Sequence, residues 1–131
     1  MRIFALALVL LSLCFGGIQT AQAEDGFLRP IIRVEPASVD FGYVPLFAVA
    51  SQYVMIYNDG DMPLLIDNVK TKLPFLDGIS SPVMIPGHSQ RRLLVGFAPQ
   101  TPTHSTGVAT IISNAANYPL FNIQLEGWGE E

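Results

Sequence analysis

From Pro30 onward, the sequence alternates short runs of β-branched and aromatic residues with clusters of glycine, proline, asparagine and aspartate. In this region no segment keeps a helical hydrophobic period over the roughly 10 to 12 residues that a helix requires. Short apolar runs between turn residues are instead typical of strands that each bury one face. About seven or eight such runs predict an all-β domain, an immunoglobulin-like antiparallel β-sandwich over residues 31–129.

The most clearly defined strand runs from Val49 to Tyr57 and is predicted to be the longest. Both of its faces are apolar, which indicates an interior strand whose outer face carries aromatic residues. Asn58–Asp61 follows as a turn, because asparagine, aspartate and glycine tolerate the left-handed backbone that a reversal requires. Pro63–Val69 is then predicted to be the partner of Val49–Tyr57. A second turn is predicted at Ser113–Asn117.

Proline and glycine also mark where other strands break or end. Pro36 separates a strand at Ile31–Val34 from one at Val39–Phe41, and it predicts an edge strand that breaks and switches. Gly42 permits a β-bulge directly afterwards. Pro99–Thr106 is polar and rich in proline, so we predict a loop there.

Residues 1–23 have the pattern of a secretory signal peptide. Arg2 supplies a positive charge, Ile3–Phe15 is an apolar run, and Ala21-Gln22-Ala23 is a small-x-small cleavage site. A transmembrane anchor is the alternative, but glycine interrupts the run well short of the roughly 20 apolar residues that a span requires. We therefore predict an exported protein, periplasmic or extracellular, with no transmembrane anchor after cleavage.

Cleavage would leave 108 of the 131 residues, enough for one domain behind a flexible leader at residues 24–30. Cys14, the single cysteine, would leave with the apolar run, so we predict neither a disulfide nor a thiolate metal ligand. Lipidation of Cys14 is the alternative, although Leu11-Ser12-Leu13 places a bulky leucine where a bacterial lipobox has a small residue. Seven basic residues, less Arg2, leave six against eleven acidic ones, and this net charge of about −5 argues against a nucleic-acid partner.

The predicted strands carry six short motifs of proline, glycine, polar and aromatic residues. In chain order the motifs are Val34-Glu35-Pro36, Val39-Asp40-Phe41-Gly42, Asn58-Asp59-Gly60-Asp61-Met62-Pro63-Leu64, Ile85-Pro86-Gly87, Val95-Gly96-Phe97-Ala98-Pro99 and Leu125-Glu126-Gly127-Trp128-Gly129. Their order and spacing resemble those of the ASH or Hydin-like family of immunoglobulin-like domains, also met in bacterial proteins called choice-of-anchor D. The family is related in fold to the major sperm protein and to pilus chaperones, and the resemblance covers roughly Ile31 to Gly129.

The resemblance implies an interaction role. Members of the family look like scaffold and interaction modules in cilia, centrosomes or bacterial envelopes, and they generally have no enzymatic centre. This chain differs from the commoner bacterial pattern, because it shows a single copy with no evident second domain or sorting anchor. A fimbrial-type chaperone is disfavoured, since such chaperones resemble two-domain proteins.

Few residues of the sequence point to chemistry. The two histidines, His88 and His104, each lie in a polar turn or loop, and Ser89 beside His88 does not indicate a hydrolytic triad. Met84 and His88 flank a Pro-Gly turn and are soft and borderline ligands, so a small copper-binding sandwich is the alternative function. Methionine at such a position is more often core filler. We therefore predict no enzyme and no cofactor, with Met84 and His88 as the weak metal-binding alternative.

Aromatic residues are the remaining candidates for function. The chain has more of them than a thin sandwich needs to bury, so some should lie exposed, where they usually serve binding. Edge strands at Ile31–Val34 or Phe121–Leu125 offer a second way to bind a partner, because a sheet edge can pair with an extended segment of another protein. We thus predict an exported interaction domain that binds another envelope or extracellular protein. The candidate exposed aromatic residues are Tyr43, Phe47, Tyr53, Tyr57, Tyr118 and Trp128.

Overall fold

The computed structural model describes residues 28–131. The predicted signal peptide, its cleavage site, Cys14 and the first part of the predicted leader lie outside these residues. The described residues form strands and turns with no helix, so the all-β prediction is confirmed. None of them belongs to a helix of the length and apolarity that a membrane crossing needs.

Nine strands, slightly more than the seven or eight predicted, form two sheets that pack face to face as the predicted sandwich. In chain order they are β1 (Ile32–Glu35), β2 (Ser38–Pro45), β3 (Ala50–Asn58), β4 (Leu64–Lys70), β5 (Phe75–Asp77), β6 (Val83–Ile85), β7 (Gln90–Phe97), β8 (His104–Ser113) and β9 (Leu120–Glu130). The four-stranded sheet has the order β1-β3-β7-β5, and the five-stranded sheet has the order β2-β9-β8-β4-β6. The sheets are mainly antiparallel, as predicted, but β2 and β9 run parallel. We call the end that holds the last residues of β9 the upper end.

The core lies between the two sheets, where side chains alternate inward and outward along each strand. Strand β9 shows the pattern clearly, with Ile123 and Leu125 buried while Gln124 and Glu126 are exposed. The inward residues of both sheets form one continuous apolar cluster. Burial of this cluster supplies the main force that holds the sheets together.

Three phenylalanine rings fill the upper part of the core. Phe97 stacks against both Phe41 and Phe75, with ring centroids 5.7 and 5.1 Å away. Glycines of the β8–β9 hairpin make room for these rings. A Cβ atom on Gly127 would lie 2.6 Å from the Phe97 ring, and one on Gly107 would lie 3.0 Å from the Phe75 ring. The rings therefore pack directly against the sheet backbone.

Pro36 marks a crossing between the sheets, as predicted. Strand β1 is an edge of the four-stranded sheet, whereas β2 is an edge of the five-stranded sheet. The predicted bulge at Gly42 is also confirmed, since the pairing of β2 with β9 shifts register between Asp40 and Tyr43. Gly42 has a φ of 70°, a conformation that glycine adopts without steric cost.

A second crossing follows β3, and it corrects one prediction. The pairing of Pro63–Val69 with Val49–Tyr57 is wrong, because β3 pairs with β1 and β7. Strand β4 instead joins the other sheet, where it pairs with β6 and β8. The turn at Asn58–Asp61 is therefore a bridge between sheets.

The side chain of Asn58 holds this bridge in place. It is 1% exposed, and its Oδ1 accepts hydrogen bonds from the N–H groups of Ile31 and Gly60 at 3.2 and 3.0 Å. Its Nδ2 donates to the carbonyl oxygens of Met62 and Ile85 at 2.7 and 3.0 Å. One buried amide thus satisfies four backbone groups from three separate places in the chain.

The β8–β9 hairpin is longer than predicted. Strand β8 begins at His104, inside the predicted loop Pro99–Thr106, because its polar residues pair with the extended tail of β9. Both strands exceed β3 in length, so the prediction that Val49–Tyr57 is the longest strand is wrong. Strand β9 lies between β2 and β8, so Phe121–Leu125 is not an edge, whereas Ile31–Val34 lies at the edge formed by β1.

Candidate binding surface

Three aromatic rings stack on the outer face of the five-stranded sheet near its upper end. Tyr43 of β2 pairs with Trp128 of β9, and Trp128 pairs with His104 of β8. The Trp128 ring centroid lies 5.8 Å from that of Tyr43 and 4.3 Å from that of His104. Residues directly opposite on neighbouring strands bring side chains to such distances. We call Tyr43, Trp128 and His104 the aromatic stack.

The bulge at Gly42 places Tyr43 on the outer face of the sheet, next to Trp128. In a regular strand Phe41 and Tyr43 would point to the same face, because side chains alternate with a period of two. The extra residue breaks this alternation, so Phe41 is buried while Tyr43 is 67% exposed. Asp40 Oδ1 accepts a hydrogen bond from the Gly42 N–H at 2.8 Å. The bulge thus separates a core ring from a surface ring.

His104 and Glu126 are the residues of this surface that sequence reasoning missed. His104 Nε2 lies 2.9 Å from Glu126 Oε2, on the same face of the sheet. If β8 and β9 are paired residue by residue outward from the predicted Ser113–Asn117 turn, His104 falls close to Trp128. The prediction of a loop at Pro99–Thr106 concealed this pairing.

Phe47 adds an exposed aromatic ring at the upper end. It is 79% exposed and has a φ of 66°, a left-handed conformation that costs a bulky residue roughly 1 to 3 kcal/mol. Two hydrogen bonds of 2.9 Å hold this turn: the Leu46 N–H donates to the Glu130 carbonyl, and the Phe47 N–H donates to the Pro99 carbonyl. The turn therefore presents an apolar ring to solvent beside the end of β9. We call the aromatic stack together with Phe47 the aromatic face.

Tyr53 and Tyr57 lie on the outer face of the other, four-stranded sheet. The guanidinium carbon of Arg92 is 4.7 Å from the centroid of the Tyr53 ring, and that of Arg33 is 3.9 Å from the Tyr57 ring. Tyr53 is exposed, whereas Tyr57 is half-buried. These cation–π contacts occupy one face of each ring.

Tyr118 lies at the lower end of the sandwich, in the turn between β8 and β9. It is exposed, and its ring meets that of Phe121 edge to face at 5.9 Å. The structure thus places the predicted aromatic residues in three regions. Tyr43, Phe47 and Trp128 share the upper end of the five-stranded sheet, while Tyr53 and Tyr57 lie on the opposite sheet and Tyr118 lies at the opposite end.

Arg33, which covers Tyr57, is held by two carboxylates. Its Nε and Nη2 donate to the two oxygens of Asp59 at 2.6 and 3.1 Å, and its Nη1 lies 3.0 Å from Glu35 Oε2. The hydrogen bonds from Arg33 lower the pKa of Asp59 below its ordinary value. The same hydrogen bonds raise the pKa of Arg33.

Replacing Asp59 with asparagine is expected to reduce the loss of stability in acid. Because the pKa of Asp59 is lower in the folded than in the unfolded chain, its carboxylate stabilises the fold at higher pH, and this contribution disappears as the pH falls through the folded value. In urea unfolding, the wild type should have the higher free energy of unfolding near neutral pH. The free energies of the wild type and of Asp59→Asn should converge in strong acid. Asp67→Asn, which removes an exposed carboxylate of β4, is the control. An equal effect of both substitutions would contradict the assignment to the Arg33 pair.

The copper alternative involves one residue that already has a partner. Met84 is exposed on β6, so it is not the core filler that its residue type favours. His88, in the turn after β6, contacts Asp61 through Nε2. Within residues 28–131, no three or more His, Cys, Asp or Glu side chains are grouped so that they could hold a metal ion. A copper site at Met84 and His88 therefore stays a prediction from the sequence.

No family model matches this sequence, and no curated protein does. Solved structures match it in fold. A protein of unknown function from Porphyromonas gingivalis W83 superposes with a TM-score of 0.68 at 18% identity over 79% of this chain, which spans about half (48%) of that protein. The PapD-like domain 7 of human CEP192, an ASH domain, has a TM-score of 0.62 at 11% identity, covering 79% of this chain and 87% of that one.

The periplasmic chaperone SfaE has a TM-score of 0.56 at 15% identity, covering 76% of this chain and 58% of that one. The fold also matches 32% of the VesB protease of Vibrio cholerae, at a TM-score of 0.56. At these identities the similarity establishes the fold alone. The fold is the immunoglobulin-like sandwich of ASH and PapD-like domains, as the sequence motifs predicted.

Proposed function

We propose that this protein is an exported, non-enzymatic domain that binds another envelope or extracellular protein through its aromatic face. The observation that carries the proposal is the aromatic stack, because three neighbouring strands bring Tyr43, Trp128 and His104 together on an outer face of the sandwich. Tyr43 is 67% exposed and Trp128 is 40% exposed. Exposed tyrosine and tryptophan are the residue types that most often dominate the binding energy of protein interfaces.

The geometry of the stack favours a packed protein surface as its partner. The rings stack across β2, β9 and β8, so they form one continuous surface in which Tyr43 and Trp128 are exposed. The rings and the flanking Glu126 offer apolar and polar contacts side by side, which is typical of an interface centre with a polar rim. Phe47 extends this surface, and its left-handed backbone is the kind of local strain that clusters at functional sites.

Contact at this surface would use side chains more than backbone pairing. The neighbouring edge strand β2 contains the Gly42 bulge and ends at Pro45. Both features hinder the pairing of a further strand with a sheet edge. In the four-stranded sheet, the edge strand β1 has only four residues and is followed by Pro36. A partner on the aromatic face would therefore pack on the stack itself.

The surroundings of the histidines support a non-enzymatic role. Each imidazole contacts a surface carboxylate, Asp61 for His88 and Glu126 for His104. Among the hydrogen bonds of residues 28–131, neither imidazole contacts a hydroxyl that it could activate as a nucleophile. His104 instead stacks on Trp128, where it extends the aromatic surface.

Removal of the stack is expected to abolish capture of the partner. With the purified protein as bait in an envelope extract, the wild type should retain a defined protein, and Tyr43→Ala/Trp128→Ala should bind it roughly a thousandfold more weakly, because two central aromatic residues that each contribute roughly 2 kcal/mol together contribute about 4 kcal/mol. Circular dichroism would establish that the variant is folded.

The matched control is Tyr53→Ala/Tyr118→Ala, which removes two other aromatic side chains that are also more than half exposed. We expect this variant to keep the wild-type affinity. The absence of any captured protein, or an equal loss in both variants, would contradict the proposal.

A further inference from the structure

The upper half of β8 has an unpaired edge. On one side β8 pairs with β9 along its length, from His104 opposite Trp128 to Ile112 opposite Leu120. On its other side it pairs with β4 only from Thr110 downward, because β4 ends at Lys70 and the chain leaves the sheet. In the described part of the chain, no strand pairs with the β4 side of β8 above Thr110. Backbone groups of this segment therefore face outward without a ladder partner.

A groove of about 670 Å³ lies along this free edge. It is lined by the buried Phe75 and Val69 and by the exposed Val108. Leu73, which is 79% exposed, also lines it. We call this space the β8 groove. An unpaired strand beside an apolar groove is the arrangement that accepts an extended peptide, since the backbone supplies hydrogen bonds and the groove takes alternate side chains.

The charge at the β8 groove is opposite to that of the whole chain. Lys70 and Lys72 are the only lysines in the sequence, and both line this groove. The chain as a whole has a net charge of −4. One carboxylate, Asp77, also lines the groove, and its Oδ2 accepts a hydrogen bond from the Thr71 hydroxyl at 3.4 Å. The two ammonium groups leave the groove with a positive balance.

We propose that the β8 groove binds an extended, acidic peptide segment of a partner protein by strand addition to β8. The segment would alternate apolar residues, which enter the groove, with glutamate or aspartate residues, which meet Lys70 and Lys72. Lysines beside an edge discourage pairing with neutral or basic strands. The same charges attract an acidic strand, so they select the partner as well as protect the edge.

The β8 groove is a second site, separate from the aromatic face. The lining of the groove includes none of Tyr43, Phe47, Trp128 and His104. Strand β8 also lacks the features that hinder strand pairing at β2. It contains no proline, and its pairing with β9 is continuous with no bulge.

Synthetic peptides provide the test. A fluorescein-labelled Glu-Val-Glu-Val-Glu-Val-Glu peptide is titrated with the purified protein and followed by fluorescence anisotropy at low ionic strength. We expect a dissociation constant below about 100 μM. The peptide Lys-Val-Lys-Val-Lys-Val-Lys, with the same apolar residues and the opposite charge, should bind at least about tenfold more weakly.

Proline versions of the acidic peptide test backbone pairing. Proline replaces either the central valine or the glutamate after it, and each change removes one N–H donor. Successive N–H groups of a strand point to opposite sides, so at least one of the two peptides should bind about tenfold more weakly. Full binding by both proline peptides would overturn strand addition.

Charge-reversal variants locate the site. Lys70→Glu/Lys72→Glu should weaken binding of the acidic peptide at least about tenfold. Arg91→Glu/Arg92→Glu makes the same change in net charge at exposed positions of β7 and should alter binding by less than about twofold. Trp128→Ala should leave peptide binding unchanged, so a failure of the groove and a failure of the aromatic face give different results.

Three further outcomes would overturn the proposal. They are no binding of the acidic peptide, equal effects of the two charge-reversal variants, and dimerisation by sedimentation that Lys70→Glu/Lys72→Glu abolishes. The last result would mean that a second copy of this chain occupies the groove.

Discussion

Alanine in place of Phe97 is expected to lower the free energy of unfolding by about 4 kcal/mol. Phe97 is fully buried, and its ring stacks on those of Phe41 and Phe75. Its removal leaves a cavity against Gly127, where the backbone of β9 cannot move inward without breaking its pairing. A domain of this size has a total stability of roughly 5 to 15 kcal/mol, so the loss should be visible as a large shift of the unfolding curve.

Urea unfolding followed by circular dichroism measures this effect. Phe47→Ala is the matched control, because it removes the same side chain from a position that is 79% exposed. We expect the control to change the free energy of unfolding by less than about 0.5 kcal/mol. Similar losses in the two variants would mean that Phe97 is not at the centre of the core.

Asn58→Ala is expected to cost about 3 kcal/mol, although it removes a polar side chain. The substitution leaves the N–H groups of Ile31 and Gly60 and the carbonyl groups of Met62 and Ile85 without their amide partner. A buried backbone group without a partner costs roughly 1 to 3 kcal/mol, and water can reach only some of these groups. The bridge from β3 to β4 should therefore loosen.

Asn122→Ala is the control for this effect. Asn122 is exposed on β9, and its Oδ1 accepts one hydrogen bond from the Thr110 hydroxyl at 2.7 Å. We expect a change of less than about 0.5 kcal/mol in urea unfolding. If Asn58→Ala were equally mild, the buried amide would not be what holds the crossing between the sheets.

The two proposed surfaces meet in the upper half of the β8–β9 hairpin. Side chains of this segment point outward into the aromatic stack, through His104 and Trp128. The unpaired backbone of β8 borders the groove lined by Lys70 and Lys72. A single partner that presents an apolar patch and an acidic strand would contact both, which would raise its affinity beyond that of either site alone.

The aromatic residues show how far the candidate site could be foreseen. Exposure follows from an excess of large apolar side chains over the core that a thin sandwich offers, so composition alone predicts that some tyrosine or tryptophan lies outside. Which of them meet depends on register. Tyr43 and Trp128 are 85 positions apart in the chain and become neighbours only because the bulge shifts the pairing of β2 with β9.

The sequence alone determined the class of fold, the bulge at Gly42 and the crossing at Pro36, because alternation of side chains and the conformational limits of glycine and proline act over a few residues. Only the tertiary structure decided that β4 joins the opposite sheet, that β9 is interior, and that His104 stacks on Trp128. The reason is that alternation states which side of a strand is buried but not which strand lies beside it. That choice depends on packing between residues far apart in the chain, such as Phe97 against Gly127 and Asn58 against Ile85.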